Sequence, residues 1–193
     1  MIEPRSVWTG RLRWSTVVTL EVALFSAAAG FLGYWAFAHV DSWLFQTVQR
    51  HRLEEHRQGH GGPAKDGLLG RIDIPRLGVS SIVVEGVGDV ELRRAVGHLP
   101  GTALFGEPGN VAVAGHRDTH FRGLRNVREG DRVVVTTPSG TFRYVVRSTR
   151  VVDPRDPRSL EEGQGNTLTL VTCFPFNYTG AAPLRFIVRA EEI

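Results

Sequence analysis

Two textures divide the chain. From Thr16 to Val40 the sequence TVVTLEVALFSAAAGFLGYWAFAHV is apolar almost without interruption, and it meets the roughly 20 residues that a helix needs to cross a bilayer core. The pattern predicts one transmembrane helix. Glu21, the only formally charged residue in this run, stands near its start and can reach the headgroup region. Trp8, Trp14, Trp35 and Trp43 border the span, as interfacial aromatics do. The run is longer than the roughly 7–15 apolar residues of a cleaved leader, so an uncleaved signal-anchor is expected. Arg11 and Arg13 abut its amino side, while Arg50 is the nearest arginine beyond it. This asymmetry predicts a cytoplasmic tail over residues 1–15 and an extracytoplasmic carboxyl side.

Residues 41–69 are expected to form a polar linker, because the stretch from Gln49 onward is rich in charge and histidine and ends in Gly and Pro. After Gly70 short β-branched and apolar runs alternate with Gly, Pro, Asn and Asp, the pattern of an all-β barrel or sandwich of seven or eight strands. Strands are predicted at Arg71–Ile74, Ser80–Val84, Asn110–Ala114, Arg132–Thr137, Thr141–Ser148, Thr149–Val152, Thr167–Cys173 and Leu184–Ala190. A short helix over Val90–Val96 with Asp89 as its cap is also predicted, together with a helical turn at Ser159–Glu162. Pro138-Ser139-Gly140 should turn one hairpin, with Phe142, Tyr144 and Val146 on its buried face.

Composition narrows the function. The formal charge of +3 rests on scattered arginines, with Lys65 the only lysine, and the absence of a dense basic run or aromatic platform argues against a nucleic-acid partner. The chain has one cysteine, which excludes an intramolecular disulfide and a zinc site of several thiolates.

That cysteine, Cys173, ends the alternating strand TLTLVTC. If the strand pairs antiparallel with the one beginning at Leu184, Cys173 and Arg185 become neighbours. His116 follows the strand Asn110–Ala114 and Gly115, whose missing side chain permits close approach of a ligand or of other backbone. A thiolate attacks, an imidazolium stabilises it and protonates a leaving amine, and a guanidinium offers paired donors to a developing oxyanion. With seven histidines in the chain, a His-Cys-Arg set alone is of modest specificity, and structural roles for His116 and Arg185 stay open.

The wording of these segments is more specific. The strand ending TLVTC and the segment NVAVAGH resemble the cysteine and histidine motifs of sortases. The resemblance extends through LPGTALFGEPGN, GHRDTHF and the opening IDIPRLGVSSIVVEG. CFPFNYTGAAPLRFIV is most similar to the class D branch. Phe105 stands where proline is frequent in the family, and His120 where an aromatic is usual.

The resemblance implies a closed sortase-like β-barrel of about eight strands over residues 70–193. It implies a membrane-anchored cysteine transpeptidase in which Cys173 is the nucleophile, His116 the acid/base and Arg185 the group that orients substrate and steadies the oxyanion. Thr172 is a further candidate for shaping the substrate site. Implied partners are secreted proteins with an LPxTG-like sorting signal, an amine acceptor in the cell wall or on a pilin-like protein, and the lipid bilayer. No cofactor or resident metal is expected, with a calcium requirement left open. Competing readings are a papain-like cysteine hydrolase, disfavoured because His116 precedes Cys173, and a non-enzymatic membrane-tethered β-domain. A zinc module of His98, His116, His120 and Cys173 is the metal alternative.

Overall fold

The computed structural model describes residues 9–58, 67–156 and 165–193; the turn expected at Ser159–Glu162 lies outside them. The chain divides into two compact units, one ending at Asp41 and one running from Ser42 to Ile193. Helix α1 (Thr9–Arg57) begins in the first and runs on into the second; in the first it carries exposed large apolar side chains from Val17 to Val40, and it is long and apolar enough to cross a membrane. Apolar surface of that extent is unsuited to water and suits hydrocarbon.

In the second unit, strands β1 (Leu68–Ile74), β2 (Val79–Glu85), β3 (Val96–His98), β4 (Asn110–Ala114), β5 (Arg132–Thr136), β6 (Thr141–Val152), β7 (Thr167–Phe174) and β8 (Leu184–Glu192) close into a barrel. Its order is β1-β2-β3-β4-β7-β8-β6-β5. Alternation decides which side chains point inward. Ile72, Val83, Val113, Leu168, Leu170, Val188 and Tyr144 fill the core. The hairpin turns at Pro138–Gly140 as expected, Thr137 N donating to Gly140 O at 2.8 Å.

The strand number agrees with the sequence reading through two compensating differences. Thr141–Val152 is one continuous strand rather than two. Conversely, the expected helix ends early: α2 spans Asp89–Arg94 with Gly88, not Asp89, at its cap. Val96–His98 then pairs parallel with β2 as β3. Three residues are too short to show a period.

A larger correction concerns the linker. Helix α1 continues to Arg57, and its last turns pack on the barrel. Leu53, 1% exposed, joins Leu68, Ile82, Val84 and Ala95 in a second apolar cluster, with Phe45 against it. β3 covers β2 only from Val83 to Glu85, which leaves the preceding edge of β2 unpaired by any strand on that side. Gln46 fills the gap: Ile82 N donates to its Oε1 at 2.9 Å, and its Nε2 donates to Arg94 O at 2.8 Å. Arg50 Nη2 donates to Ser80 O at 3.2 Å. Side-chain amide and guanidinium thus satisfy backbone groups that an open sheet edge would leave exposed.

Candidate active site

β7 lies between β4 and β8, and the two ladders fix a common level across all three strands. β7 and β8 pair antiparallel with Cys173 opposite Arg185. β4 and β7 run parallel, and their last pair is Ala114 with Val171. Gly115 N continues that ladder by donating to Val171 O at 3.1 Å, while Thr172 Oγ1 donates to Gly115 O at 2.7 Å across the same separation of 57 residues. Carried one residue further, this register sets His116 level with Cys173. Cys173 and Arg185 are thus cross-strand neighbours, and His116, two residues past the end of β4, falls at their level when the β4–β7 register is carried beyond Ala114.

They also share a face. Leu170, its β4 partner Val113 and its β8 partner Val188 point into the core. By the two-residue period Cys173 and Arg185 point outward, and His116, if the period is carried past Ala114, does too. Val171 and Ile187 are paired on the same outward side, with Ile187 3% exposed, and give these groups an apolar footing. Cys173 and Arg185 are half-buried and His116 is exposed. Arg185 Nη1 donates to Ala182 O at 3.2 Å and Leu184 O at 3.0 Å. These bonds anchor one nitrogen of the guanidinium and leave its remaining N–H groups for other acceptors.

Thr172 lies on the opposite face of β7 from Cys173. Its side chain faces the core, 2% exposed, and its hydroxyl is bound to the Gly115 carbonyl. It ties β7 to the backbone that leads into His116. Gly115 in turn makes room for a neighbour within the fold. A Cβ there would stand 2.8 Å from Phe121 Cδ2, and the Phe121 ring is fully buried. Phe121 N donates to His116 O at 3.0 Å, so this packing closes the turn that carries His116.

Sequence reading missed Arg117. Its Nη2 donates to Tyr178 O at 2.6 Å and Gly180 O at 3.0 Å, and its guanidinium lies over the Tyr178 ring, 6.0 Å from the centroid. It clamps the β7–β8 connection to the residue after His116. Phe174 stacks on Phe186 with centroids 6.2 Å apart, and Phe176 meets Phe186 edge-on at 5.4 Å, which anchors the roots of the same connection. Adjacency to His116 was the one signal that could have marked Arg117 in the sequence.

Two of the four donors of the zinc alternative, His98 and His120, have other partners. His98, 1% exposed, has Nδ1 2.8 Å from Glu85 Oε2, and Nε2 3.0 Å from both Ala103 O and Thr102 Oγ1. It locks the β3–β4 connection. His120 Nδ1 meets Ser81 Oγ at 3.0 Å. Among the described residues no three His, Cys, Asp or Glu side chains gather in a way that could hold a metal ion.

Burial pushes the His120 imidazole below its ordinary pKa; the Arg93 carbonyl opposes the shift, His116 adds to it and Asp118 resists it. A histidine whose folded pKa is depressed takes up a proton more readily when unfolded. Its contribution to stability is therefore complete above about pH 6.5 and is lost as the pH falls toward the folded pKa. The melting temperature is expected to drop below about pH 6.5, and His120→Gln should flatten that drop. Parallel pH profiles for the two proteins would assign it to other groups.

Comparison with known proteins bears on the same segments. A family model described as the sortase domain matches residues 72–193. Sortase D of Bacillus subtilis (strain 168) is 32% identical over 193 residues, covering 89% of this chain and 98% of that protein. Sortase A of Staphylococcus aureus (strain NCTC 8325 / PS 47) is 26% identical over 210 residues, covering 96% and 98%. Among solved structures, that of a Clostridium perfringens Sortase D5 transpeptidase is similar with a TM-score of 0.66 at 28% identity, covering 80% of this chain and 99% of that one.

Proposed function

This chain belongs to the sortase family of cysteine transpeptidases, and on that premise we propose that Cys173 is its nucleophile, His116 its acid/base and Arg185 its oxyanion partner. The observation that supports these roles is the pairing of Cys173 with Arg185 together with the parallel β4–β7 register that, carried past Ala114, brings His116 to the same level.

In this reading the thiolate of Cys173 attacks the threonine carbonyl carbon of an LPxTG-like signal. The free N–H groups of Arg185 meet the oxygen as it gains charge. His116 gives its proton to the departing amine nitrogen as the C–N bond breaks, leaving a thioester on Cys173. An incoming amine loses a proton to His116, attacks the thioester carbon and expels the thiolate, so the protein returns to its starting state. Donors are secreted proteins with such a signal, and the acceptor is an amine of the cell wall or of another envelope protein. Helix α1 holds the enzyme at the membrane, with residues 1–15 inside and the barrel outside, in the sense set by Arg11 and Arg13.

The experiment is intact-mass analysis of the full-length protein incubated with an LPxTG-type peptide, with and without an added amine. The expected result is a thioacyl adduct on the fragment containing Cys173, followed by an amide product when amine is present. An acid product alone, unaffected by amine, would make the protein a hydrolase.

A further inference from the structure

The proposed reaction leaves open what kind of amine arrives. The acid that protonates the departing amine is also the base for the incoming one, so both amines lie on the His116 side of Cys173. Arg185, on β8, lies on the opposite side. The acceptor must therefore rest beyond His116, in the direction away from β8.

In that direction the chain folds back and forms a basin. The turn after His116 brings His120 to Ser81 on β2, and a 3-10 segment follows at Arg122–Asn126. Between these residues and the start of β2 lies an open cavity of about 540 Å³, whose lining includes Ser80, Thr119, His120, Arg122, Arg125 and Asn126. This volume suits a ligand the size of a short peptide, given that small-ligand pockets span roughly 300–1,000 Å³.

The basin is cationic. Arg122 and Arg125 are exposed, and Arg125 Nε donates to Arg122 O at 3.2 Å, which holds the second guanidinium across the same turn. Arg50 stands at Ser80, its Nη2 donating to the Ser80 carbonyl and hydroxyl at 3.2 Å. Nearby carboxylates are mostly committed. Asp73, opposite Ser80 in the β1–β2 ladder, is held by Arg71 at 2.8 Å. Asp131 is held by Arg76, whose Nη2 also donates to Asn126 O at 2.6 Å. Asp118, in the turn itself, is exposed. Among the described residues no carboxylate pairs with Arg122 or Arg125.

We infer that this basin is the acceptor site and that it selects an amine whose molecule also carries a carboxylate, bound by Arg122 and Arg125. The inference rests on the transpeptidase reading and adds the acceptor's chemical class to it. Guanidinium pairs suit carboxylate because their donors match its two oxygens, and the amine of such a molecule is directed back toward His116.

The test uses the full-length protein in detergent, an LPxTG-type donor peptide and two matched acceptor pairs: glycylglycine with its amide, and Nα-acetyl-lysine with its amide. Each pair differs only in the carboxylate. The acceptor KM should favour the carboxylate form by roughly tenfold, the scale of one charge-assisted hydrogen-bonded contact. In Arg122→Ala/Arg125→Ala that ratio should fall to near one, and Arg122→Lys/Arg125→Lys should restore part of it. Because the readout is a ratio within one protein, a general loss of activity leaves it unchanged. Equal KM values in the wild type, or a preference that survives both alanines, would overturn the inference while leaving transpeptidation intact. Failure of every amine to give amide would remove the transpeptidase reading and this inference with it.

Discussion

Cys173→Ala is expected to abolish cleavage of an LPxTG-type peptide and transfer to an amine together, a loss of at least roughly four orders of magnitude in kcat/KM. No other thiol exists in the chain, so nothing can take over the covalent step. The fold should survive, because Cys173 is half-buried on the outer face and its strand is held by backbone ladders to β4 and β8. Losing one partly exposed sulfur costs well under the roughly 5–15 kcal/mol that typically holds a domain together. Arg185→Lys is the informative companion. It keeps the charge but loses the planar fork, and it should lower turnover by about 10²-fold, in the range seen when one oxyanion donor is removed. Transfer retained by Cys173→Ala would remove the central claim; full activity in Arg185→Lys would remove the oxyanion role alone.

Half of the site was legible in the sequence. The alternation TLTLVTC gives a strand and its phase, and an antiparallel return at Leu184 places Arg185 beside Cys173 by counting alone. The level of His116 was not legible. It depends on the parallel register between β4 and β7, and parallel partners far apart in sequence carry no local mark of their offset. β3 escaped notice because three residues hold no period. Arg117 was hidden by number, as one loop arginine among many whose partners are carbonyls rather than charges. The contact of Thr172 with Gly115 was equally hidden: Thr172 adjoins Cys173 in sequence, but strand alternation sends adjacent side chains to opposite faces.

The helical stem was misread through composition, and its removal is the second large effect expected. Residues 49–57 are mostly charged or polar, which hides a narrow face formed by Phe45, Gln46, Gln49 and Leu53 at helical spacing. Phe45 and Leu53 pack over Ile82 and Val84, while Gln46 and Arg50 occupy the open edge of β2. Ser81 links this contact to the His116 turn, since its hydroxyl meets Gln46 Nε2 at 3.3 Å and His120 Nδ1 at 3.0 Å. A chain beginning at Ser42 should unfold in one cooperative transition near the full-length midpoint, whereas one beginning after Arg57 should unfold at markedly lower denaturant. Leu53→Ala in the intact chain should cost about 2–4 kcal/mol, as for a buried leucine that leaves a cavity. Gln46→Ala, which removes the acceptor of the buried Ile82 N–H, should cost about 1–3 kcal/mol. Equal midpoints for the two truncations would show that the stem only rests on the barrel. A lower midpoint accompanied by slower acylation of Cys173 would instead mean that the same sixteen residues, Ser42–Arg57, both close the sheet edge and hold the histidine turn in place.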